Sequence, residues 1–461
     1  MNLRQKLFLG VVIATNVVLW VVPSDVVELV ARDRQTLLGR YSRGSVVGFY
    51  IDWAKPDKYK KRWFQVLATL LFLTPCVVLV DYLARSEQAA HYIKDSLAYH
   101  RPPNHEFAID FEDRPQAART YPDAPAGYGS LHCVYHSDAQ GFRNQTALET
   151  YDVVVLGDSF TEGSKVSDGQ CWPARFSETV GASVYNLGMS GYAPVNYLAS
   201  LKKYGLPLKP KVVVCMIYEG NDFRSAKSDR KAVKPSRSKR FKAYFKQSPI
   251  RSGLDRLLVA TLAPIRARAK VPGLEKLAWL PLSIPPGPNA KRYAFAPKQL
   301  LQLYESEEAF RQDKHWQNPA ELLLSMRDLC REAGVEFAVV YAPTKARVMM
   351  PLSRDRLPIE DVHAFCSLRS DKLPDPKTFF ENLFAFLPGK ETVVRKWCEQ
   401  NGVPFCSTTE GLRRRASEGK QVYYTYDQHW TPEGHEIVAD TVSKFWRDEI
   451  VGARSGLAST D

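Results

Sequence analysis

The chain has 461 residues, of which 45% are hydrophobic and 25% are charged, proportions that exclude a disordered or fibrous protein. Its formal net charge of +13 is concentrated in two segments. Residues 31–65 contain nine Lys/Arg against three Asp/Glu, and residues 224–246 contain ten against one. The remaining chain is therefore slightly acidic, which disfavours a general basic surface, and we predict no nucleic-acid partner.

The first 83 residues have the pattern of a membrane anchor. Two apolar segments, at about 7–22 and 66–83, each approach the ~20 residues that cross a bilayer. We predict that they form a hairpin in a bacterial-type inner membrane. The basic loop between them favours the cytoplasm, which places the chain from residue 84 onward on the extracytoplasmic side. Two alternatives stay open: the first segment is a cleaved signal peptide, or the second is a buried core helix.

Residues 84–150 are interpreted as a juxtamembrane stalk followed by a linker. Residues 84–97 have a polar helical pattern, whereas residues 101–130 are rich in Pro, Gly, Asp and Ala and predict an irregular segment. His132 and His136 lie four residues apart, but no cluster of carboxylates or cysteines at ligand spacing accompanies them. We predict no metal site.

The eight cysteines include no Cys-x-x-Cys pair, which disfavours a zinc or thioredoxin-type site. A disulfide among three of them stays open if this region is exported: Cys366, Cys398 and Cys406.

From residue 151 onward, apolar strands alternate with helical segments. This alternation predicts a catalytic domain over 151–450, built as a three-layer α/β/α sandwich around a mostly parallel sheet, with a tail at 451–461. The expected strands are 153–156, 184–187, 212–218, 337–341 and 403–406. Because the carboxyl ends of parallel strands meet at one edge of the sheet, we expect the residues that follow them to form the ligand-binding site.

The first strand ends in Gly157-Asp158-Ser159. A serine at this point can begin a helix, where backbone N–H groups and the helix dipole favour a developing negative charge. Taken alone, the segment is equally typical of a serine that caps a helix after a core strand.

A helix is predicted from Pro432 to about Ile450, because apolar residues recur at helical spacing after a natural N-cap. Asp427 and His429 lie just before it. If this segment is extended, residues two apart point to the same side, so that the carboxylate and the imidazole can orient one another. His435, on the helix, is the rival base and is disfavoured because His429 has the acidic partner.

Four sequence blocks together resemble the SGNH, or GDSL, hydrolase superfamily. In chain order they are Gly157-Asp158-Ser159, Gly188, Asn221-Asp222, and Asp427 with His429. Two features depart from the family pattern. Glu219 stands where the third block usually has its first glycine, and the last block reads Asp-x-His instead of Asp-x-x-His. The shorter spacing is similar to that of membrane-linked polysaccharide O-acetyltransferase relatives.

The resemblance implies a serine enzyme that needs neither a metal nor a cofactor. Ser159 would be the nucleophile, His429 the general base, and Asp427 the residue that orients the imidazole. The backbone N–H groups of Ser159 and Gly188 and the side-chain amide of Asn221 would form the oxyanion hole. Supporting positions would be Gly157, Asp158 and Asp222.

We therefore predict a membrane-anchored serine esterase that hydrolyses O-acyl esters, acetyl above all, of a carbohydrate or lipid. The alternatives are an O-acyltransferase that acts with polysaccharide-assembly partners and, from another class, an inactive binding or scaffold protein. The basic and Pro-rich insertion at 223–297 is either a mobile lid or a surface for anionic lipid head groups or an acidic polymer. Trp430 either stacks on a sugar ring or packs in the core.

Overall fold

A computed structural model describes residues 97–114, 124–145, 148–225 and 279–452. Both predicted membrane segments lie outside these ranges, as do the tail from residue 453 and most of the basic insertion. Within the described ranges, no helix is long and apolar enough to span a bilayer.

A two-stranded antiparallel hairpin precedes the central sheet. It pairs β1 (Glu106–Glu112) with β2 (Ser130–His136), a strand pairing where the sequence pattern predicted an irregular linker. His132 lies against Asp110, and His136 lies between Glu106 and Asp168. Both imidazoles thus have carboxylate partners, and the described residues contain no cluster suited to a metal ion.

In chain order the remaining strands are β3 (Val153–Leu156), β4 (Val184–Asn186), β5 (Val212–Tyr218), β6 (Leu280–Ile284), β7 (Lys291–Phe295), β8 (Glu336–Ala342) and β9 (Phe405–Ser407). Five of them form the central sheet, all parallel, in the order β4-β3-β5-β8-β9. The predicted bounds of β3 and β5 are confirmed, and the other three predicted strands differ by one or two residues. Strands β6 and β7 form a separate antiparallel hairpin inside the segment predicted as a Pro-rich insertion.

Helices cover both faces of the sheet. They are α1 (Ser159–Glu162), α2 (Trp172–Val180), α3 (Pro194–Ser200), α4 (Asp222–Ser225), α5 (Pro297–Leu301), α6 (Glu307–Gln312), α7 (Lys314–Glu332), α8 (Lys345–Met349), α9 (Ile359–Ser367), α10 (Pro376–Phe386), α11 (Gly389–Gln400), α12 (Thr409–Ser417) and α13 (Pro432–Phe445). After Phe445 the last helix continues with wider turns to Val451.

The layers follow from the alternation of side chains along each buried strand. Val153 and Val155 belong to one core cluster, with residues of α2 and α13. Val154 and Leu156 belong to a second cluster, on the opposite face, with residues of α7 and α11. All four side chains are fully buried, so β3 is apolar throughout, as expected of a parallel strand covered on both faces. The α/β fold with a parallel central sheet is confirmed.

The possible disulfide among the C-terminal cysteines does not form. Cys366, Cys398 and Cys406 are buried free thiols. They lie in α9, α11 and β9.

Candidate active site

Ser159, His429 and Asp427 are hydrogen-bonded in series at the carboxyl edge of the sheet. His429 Nε2 lies 2.8 Å from Ser159 Oγ, and His429 Nδ1 lies 2.5 Å from Asp427 Oδ1. Ser159 is partly exposed, and the side chains of His429 and Asp427 retain 21% and 24% of their accessible surface. The arrangement therefore presents a hydroxyl, a base and an acid to the solvent.

The carboxylate of Asp427 and the imidazole of His429 are held together by a tight turn, not by an extended backbone as the sequence pattern suggested. Asp427 Oδ1 accepts the backbone N–H of His429 at 2.9 Å as well as contacting its ring. Oδ1 of Asp427 thus holds both the backbone and the imidazole ring of His429 in place.

Two of the predicted glycines are required by the close approach of α1. A Cβ at position 157 would lie 2.0 Å from Thr161 Oγ1. A Cβ at position 188 would lie 2.4 Å from the backbone nitrogen of Glu162 and 2.6 Å from the carbonyl carbon of Thr161. Only glycine lets the segments carrying Ser159 and Gly188 pack this closely.

The predicted oxyanion donors are gathered at this edge, with different degrees of freedom. The N–H of Gly188 donates to Asn186 Oδ1 at 2.8 Å, so an oxyanion would have to replace that acceptor. Asn221 Nδ2 donates one hydrogen to Asp158 Oδ2 at 3.0 Å, which leaves its second amide hydrogen available. The N–H of Ser159 has no acceptor among the described residues.

Asp158 caps α1 and orients the Asn221 amide. Its Oδ1 accepts the N–H of Phe160 at 2.9 Å while its Oδ2 accepts from Asn221. Burial raises the pKa of Asp158 to about 6, although both hydrogen bonds and the neighbouring His429 oppose the shift.

Asp222, which directly follows Asn221 in the chain, is fully buried. It accepts the N–H of Tyr218 at 2.7 Å and the hydroxyl of Tyr197 at 2.9 Å. Burial raises its pKa well above the ordinary value, and the charge of Asp158 acts in the same direction. Asp222 thus fixes the turn that presents Asn221 and makes no contact with the triad itself.

A buried ion pair explains the glutamate that replaces the usual glycine of the third block. Arg347 donates to both carboxylate oxygens of Glu219, at 2.7–2.9 Å, and both side chains are at most 3% exposed. Burial acts to raise the pKa of Glu219. The charge and hydrogen bonds of Arg347, together with the charge of Lys390 and the N–H of Thr344, outweigh burial and hold this pKa below the ordinary value. The pair ties the end of β5 to α8.

The loop carrying Asp427 is held by two buried charges. The carboxylate of Asp113 accepts the N–H groups of Thr425, Tyr426 and Asp427 at 2.6–3.1 Å. The ammonium of Lys345 donates to the carbonyl groups of Tyr424, Thr425 and Asp427 at 2.7–3.2 Å. Burial lowers the pKa of Lys345 to about 7, against the charges of Asp113 and Asp427.

Lys165 contacts the second carboxylate oxygen of Asp427, the one that His429 does not use. Burial acts to raise the pKa of Asp427. The hydrogen bond and charge of His429, together with Lys165, outweigh burial and hold this pKa well below its ordinary value.

Aromatic side chains pack around the imidazole of His429. The ring of Phe160 stacks on His429 with a centroid separation of 4.9 Å, and Trp430 meets Phe160 edge-on at 4.7 Å. Trp430 is fully buried, so its indole packs in the core and is not exposed to a sugar ring. His435, the rival base, is also buried. The backbone N–H of Trp172 donates to its Nδ1 at 3.3 Å, and neither ring nitrogen is hydrogen-bonded to Ser159.

Three residues that contact Asp427 were not predicted from the sequence: Asp113, Lys165 and Lys345. Lys345 lies three residues after the end of β8, and Lys165 lies six residues after Ser159, so proximity to a strand end was the available signal for both. Asp113 lies in the segment interpreted as a linker, and no local pattern marks it.

A parallel α/β sheet with a serine, a histidine and an aspartate in series at its carboxyl edge defines a class, the serine hydrolases of α/β fold. The model of the GDSL-like lipase/acylhydrolase family matches residues 153–442, which is more than half of the chain. The chain therefore belongs to this family of ester-hydrolysing enzymes, and the resemblance inferred from the four blocks is confirmed.

Among solved structures, a catalytic mutant of an acetylxylan esterase from Geobacillus stearothermophilus is 11% identical, covering 65% of this chain and 96% of its own, with a TM-score of 0.30. A GDSL-like lipase from Bacteroides thetaiotaomicron is 13% identical, covering 63% and 85%, with a TM-score of 0.26. An acetyl xylan esterase from Butyrivibrio proteoclasticus is 8% identical, covering 70% of each chain, with a TM-score of 0.28. No curated protein matches the chain.

Proposed function

We propose that the chain is a serine esterase that removes O-acyl groups, acetyl above all, from a carbohydrate or lipid through an acyl-serine intermediate. The observation that carries the proposal is the hydrogen-bond series from Ser159 Oγ through His429 to Asp427, at 2.8 Å and 2.5 Å. A serine hydroxyl is a weak nucleophile at neutral pH, and an adjacent base supplies the missing activation.

The first half-reaction follows from this geometry. Ser159 Oγ attacks the ester carbonyl while His429 Nε2 takes the hydroxyl proton. The tetrahedral intermediate then collapses, the bond to the alcohol oxygen breaks, and the imidazolium returns the proton to that alcohol. In the second half-reaction water attacks the acyl-serine by the same route and releases the carboxylic acid. Asp427 stabilises the imidazolium in both halves.

Labelling with a fluorophosphonate probe tests the nucleophile in the full-length protein. The wild type should be labelled at Ser159, and Ser159→Ala should abolish the label. Ser164→Ala is the matched control, because Ser164 lies in the same segment and bonds to Ser190 at 2.8 Å instead of to the imidazole. Absence of labelling in a folded wild type would instead support an inactive scaffold.

An O-acyltransferase is the second candidate, and the Asp-x-His spacing of Asp427 and His429 favours it. The two reactions share the acyl-serine and differ in whether water or a sugar hydroxyl takes the acyl group. Release of acetate from a chromogenic ester, unchanged when an oligosaccharide is added, supports the hydrolase. A fall in acetate release together with acylation of the oligosaccharide supports the transferase.

We also propose that the catalytic region is held outside the cytoplasm by a hairpin of residues 7–22 and 66–83. The support is the pattern of the sequence: two apolar segments and a basic loop between them. Alkaline phosphatase fused after residue 96 should be active in bacterial cells, and the same enzyme fused after residue 50 should be inactive. The reverse pattern would reject the proposed orientation.

A further inference from the structure

We propose that Lys165 is a positioning residue of the catalytic apparatus, acting on His429 through the far oxygen of Asp427. The inference rests on the proposed roles of Ser159, His429 and Asp427. A Ser-His-Asp series needs only a carboxylate behind the imidazole. Here that carboxylate is shared between two cations, the developing imidazolium on Oδ1 and the lysine ammonium on Oδ2.

The lysine is fixed on several sides, which separates it from an ordinary surface lysine. Its ammonium lies 4.2 Å from the centre of the Phe111 ring, and its side chain is 22% exposed. Its carbonyl oxygen accepts the hydroxyl of Tyr424 at 2.7 Å. Phe111 and Tyr424 also meet edge-on, with centroids 5.3 Å apart, so that two aromatic residues hold the lysine against Asp427.

The backbone of Lys165 supports the same conclusion. Its φ of +66° lies in the left-handed region that non-glycine residues seldom adopt. The turn comes shortly after α1. One short segment therefore carries both the hydroxyl of Ser159 and the lysine that contacts Asp427. A conformation of this kind is retained where the surrounding contacts determine it, and such positions concentrate at functional sites.

The chemical consequence is a change in how strongly the site holds a proton on the imidazole. Asp427 stabilises the imidazolium, while the positive charge of Lys165 on the same carboxylate opposes it. Other charged or titratable groups also face the pair from the neighbouring elements: Asp158 before α1, Tyr218 at the end of β5, Lys345 at the start of α8, Asp113 after β1, Tyr424 in the loop before α13, and the buried His435 on α13. None of these groups hydrogen-bonds to the carboxylate side chain of Asp427, whereas Lys165 contacts it directly. It thereby keeps the base free of a proton at lower pH.

The test is the pH dependence of fluorophosphonate labelling of Ser159 in the full-length protein, from pH 5 to 9. For Lys165→Met, the pH of half-maximal labelling rate should move upward by roughly one unit, the size of the interaction between unit charges several ångströms apart in a partly exposed site. At pH values below the wild-type midpoint the labelling rate should fall about tenfold. Lys165→Arg, which keeps the charge, should restore the wild-type midpoint.

Lys203→Met is the matched control, because this lysine also lies over an aromatic ring, that of Tyr204 at 4.9 Å. It should leave the midpoint unchanged. A Lys165→Met protein whose rate falls equally at every pH, with an unchanged midpoint, would show a merely structural role and overturn the proposal. Lys165→Gln serves in place of Lys165→Met if the methionine variant does not fold.

A second readout separates this proposal from the proposed enzymatic function. The midpoint of the His429 ring signals in an NMR titration should move upward in Lys165→Met even if the wild type reacts with no probe. An unlabelled wild type would therefore reject the nucleophile without deciding the role of Lys165. An NMR midpoint equal in wild type and variant would reject the role of Lys165.

Discussion

The Asp113 carboxylate accepts the backbone N–H of Asp427 at 3.0 Å, although the two residues are 314 positions apart in the sequence. Asp113 directly follows the β1 strand of the N-terminal hairpin, and Asp427 belongs to the loop before α13. The segment interpreted as a linker therefore supplies part of the structure that holds the triad. The hairpin and the sheet domain form one functional unit in this respect.

Asp113→Ala should lower both stability and reactivity. The variant leaves the N–H groups of Thr425, Tyr426 and Asp427 without their buried acceptor, and hydrogen bonds to a charged group contribute roughly 1.5–3 kcal/mol each. We expect a labelling rate of Ser159 at least tenfold lower, measured with a fluorophosphonate. Asp110→Ala is the control from the same hairpin, since this exposed carboxylate pairs only with His132 in the described structure. Equal labelling of both variants would contradict the prediction.

His429 and His435 should respond differently to substitution. His429→Ala should abolish labelling of Ser159, because it removes the base 2.8 Å from the hydroxyl. His435→Gln should lower the melting temperature and leave labelling of the folded protein intact. Burial lowers the pKa of His435 well below its ordinary value, so it is a neutral core residue that accepts from Trp172. Loss of labelling in folded His435→Gln would return the role of base to His435.

Two arginines in ion pairs should differ sharply in their contribution to the free energy of unfolding. Arg347→Met leaves the buried carboxylate of Glu219 without its partner, and breaking a buried pair in this way costs about 3–5 kcal/mol. Arg354→Met breaks a pair with Glu381 whose side chains are about half exposed, and surface pairs contribute about 0–1 kcal/mol. Urea unfolding monitored by circular dichroism measures both. Similar losses for the two variants would contradict the assignment.

The pH dependence of stability should reveal Asp158. Its pKa is raised by burial from 3.8 to about 6, so the folded chain holds this proton more tightly than the unfolded chain does. Stability from this group is complete below about pH 3.8 and is lost as the pH rises through about 6. The two-unit shift corresponds to about 3 kcal/mol. The free energy of unfolding of Asp158→Asn, relative to the wild type, should therefore rise by about that amount from pH 4 to pH 7.

Asp375 is the matched control for this experiment because it also caps a helix. Its carboxylate accepts the N–H of Thr378 at 3.1 Å, and hydrogen bonds from Thr378 lower its pKa below the ordinary value. Its contribution to stability is present above the unfolded pKa and is lost as the pH falls, so Asp375→Asn should show the opposite slope. A pH-independent difference between Asp158→Asn and the wild type would contradict the raised pKa.

The sequence alone determined those parts of the molecule that depend on residues close together in the chain. The apolar runs fixed the bounds of β3 and β5, because a strand buried on both faces excludes polar residues along its whole length. The four blocks predicted that Ser159, Asp427 and His429 lie together, and their geometry depends on a strand end, a tight turn and a helix N-cap. Gly157 and Gly188 belong to the same blocks, and the structure shows that the approach of α1 leaves no room for a side chain at either position.

Only the tertiary structure brought Asp113, Lys165 and Lys345 to the Asp427 loop. An aspartate after a strand, a lysine in a turn and a lysine at the start of α8 have nothing distinctive in their neighbourhood, and their significance comes from contacts across 80 to 314 residues of sequence. The periodicity and spacing of residues in the sequence indicate only which face of its own helix or strand a residue occupies. The partner of a buried charge, by contrast, is determined by how distant helices, strands and loops pack together.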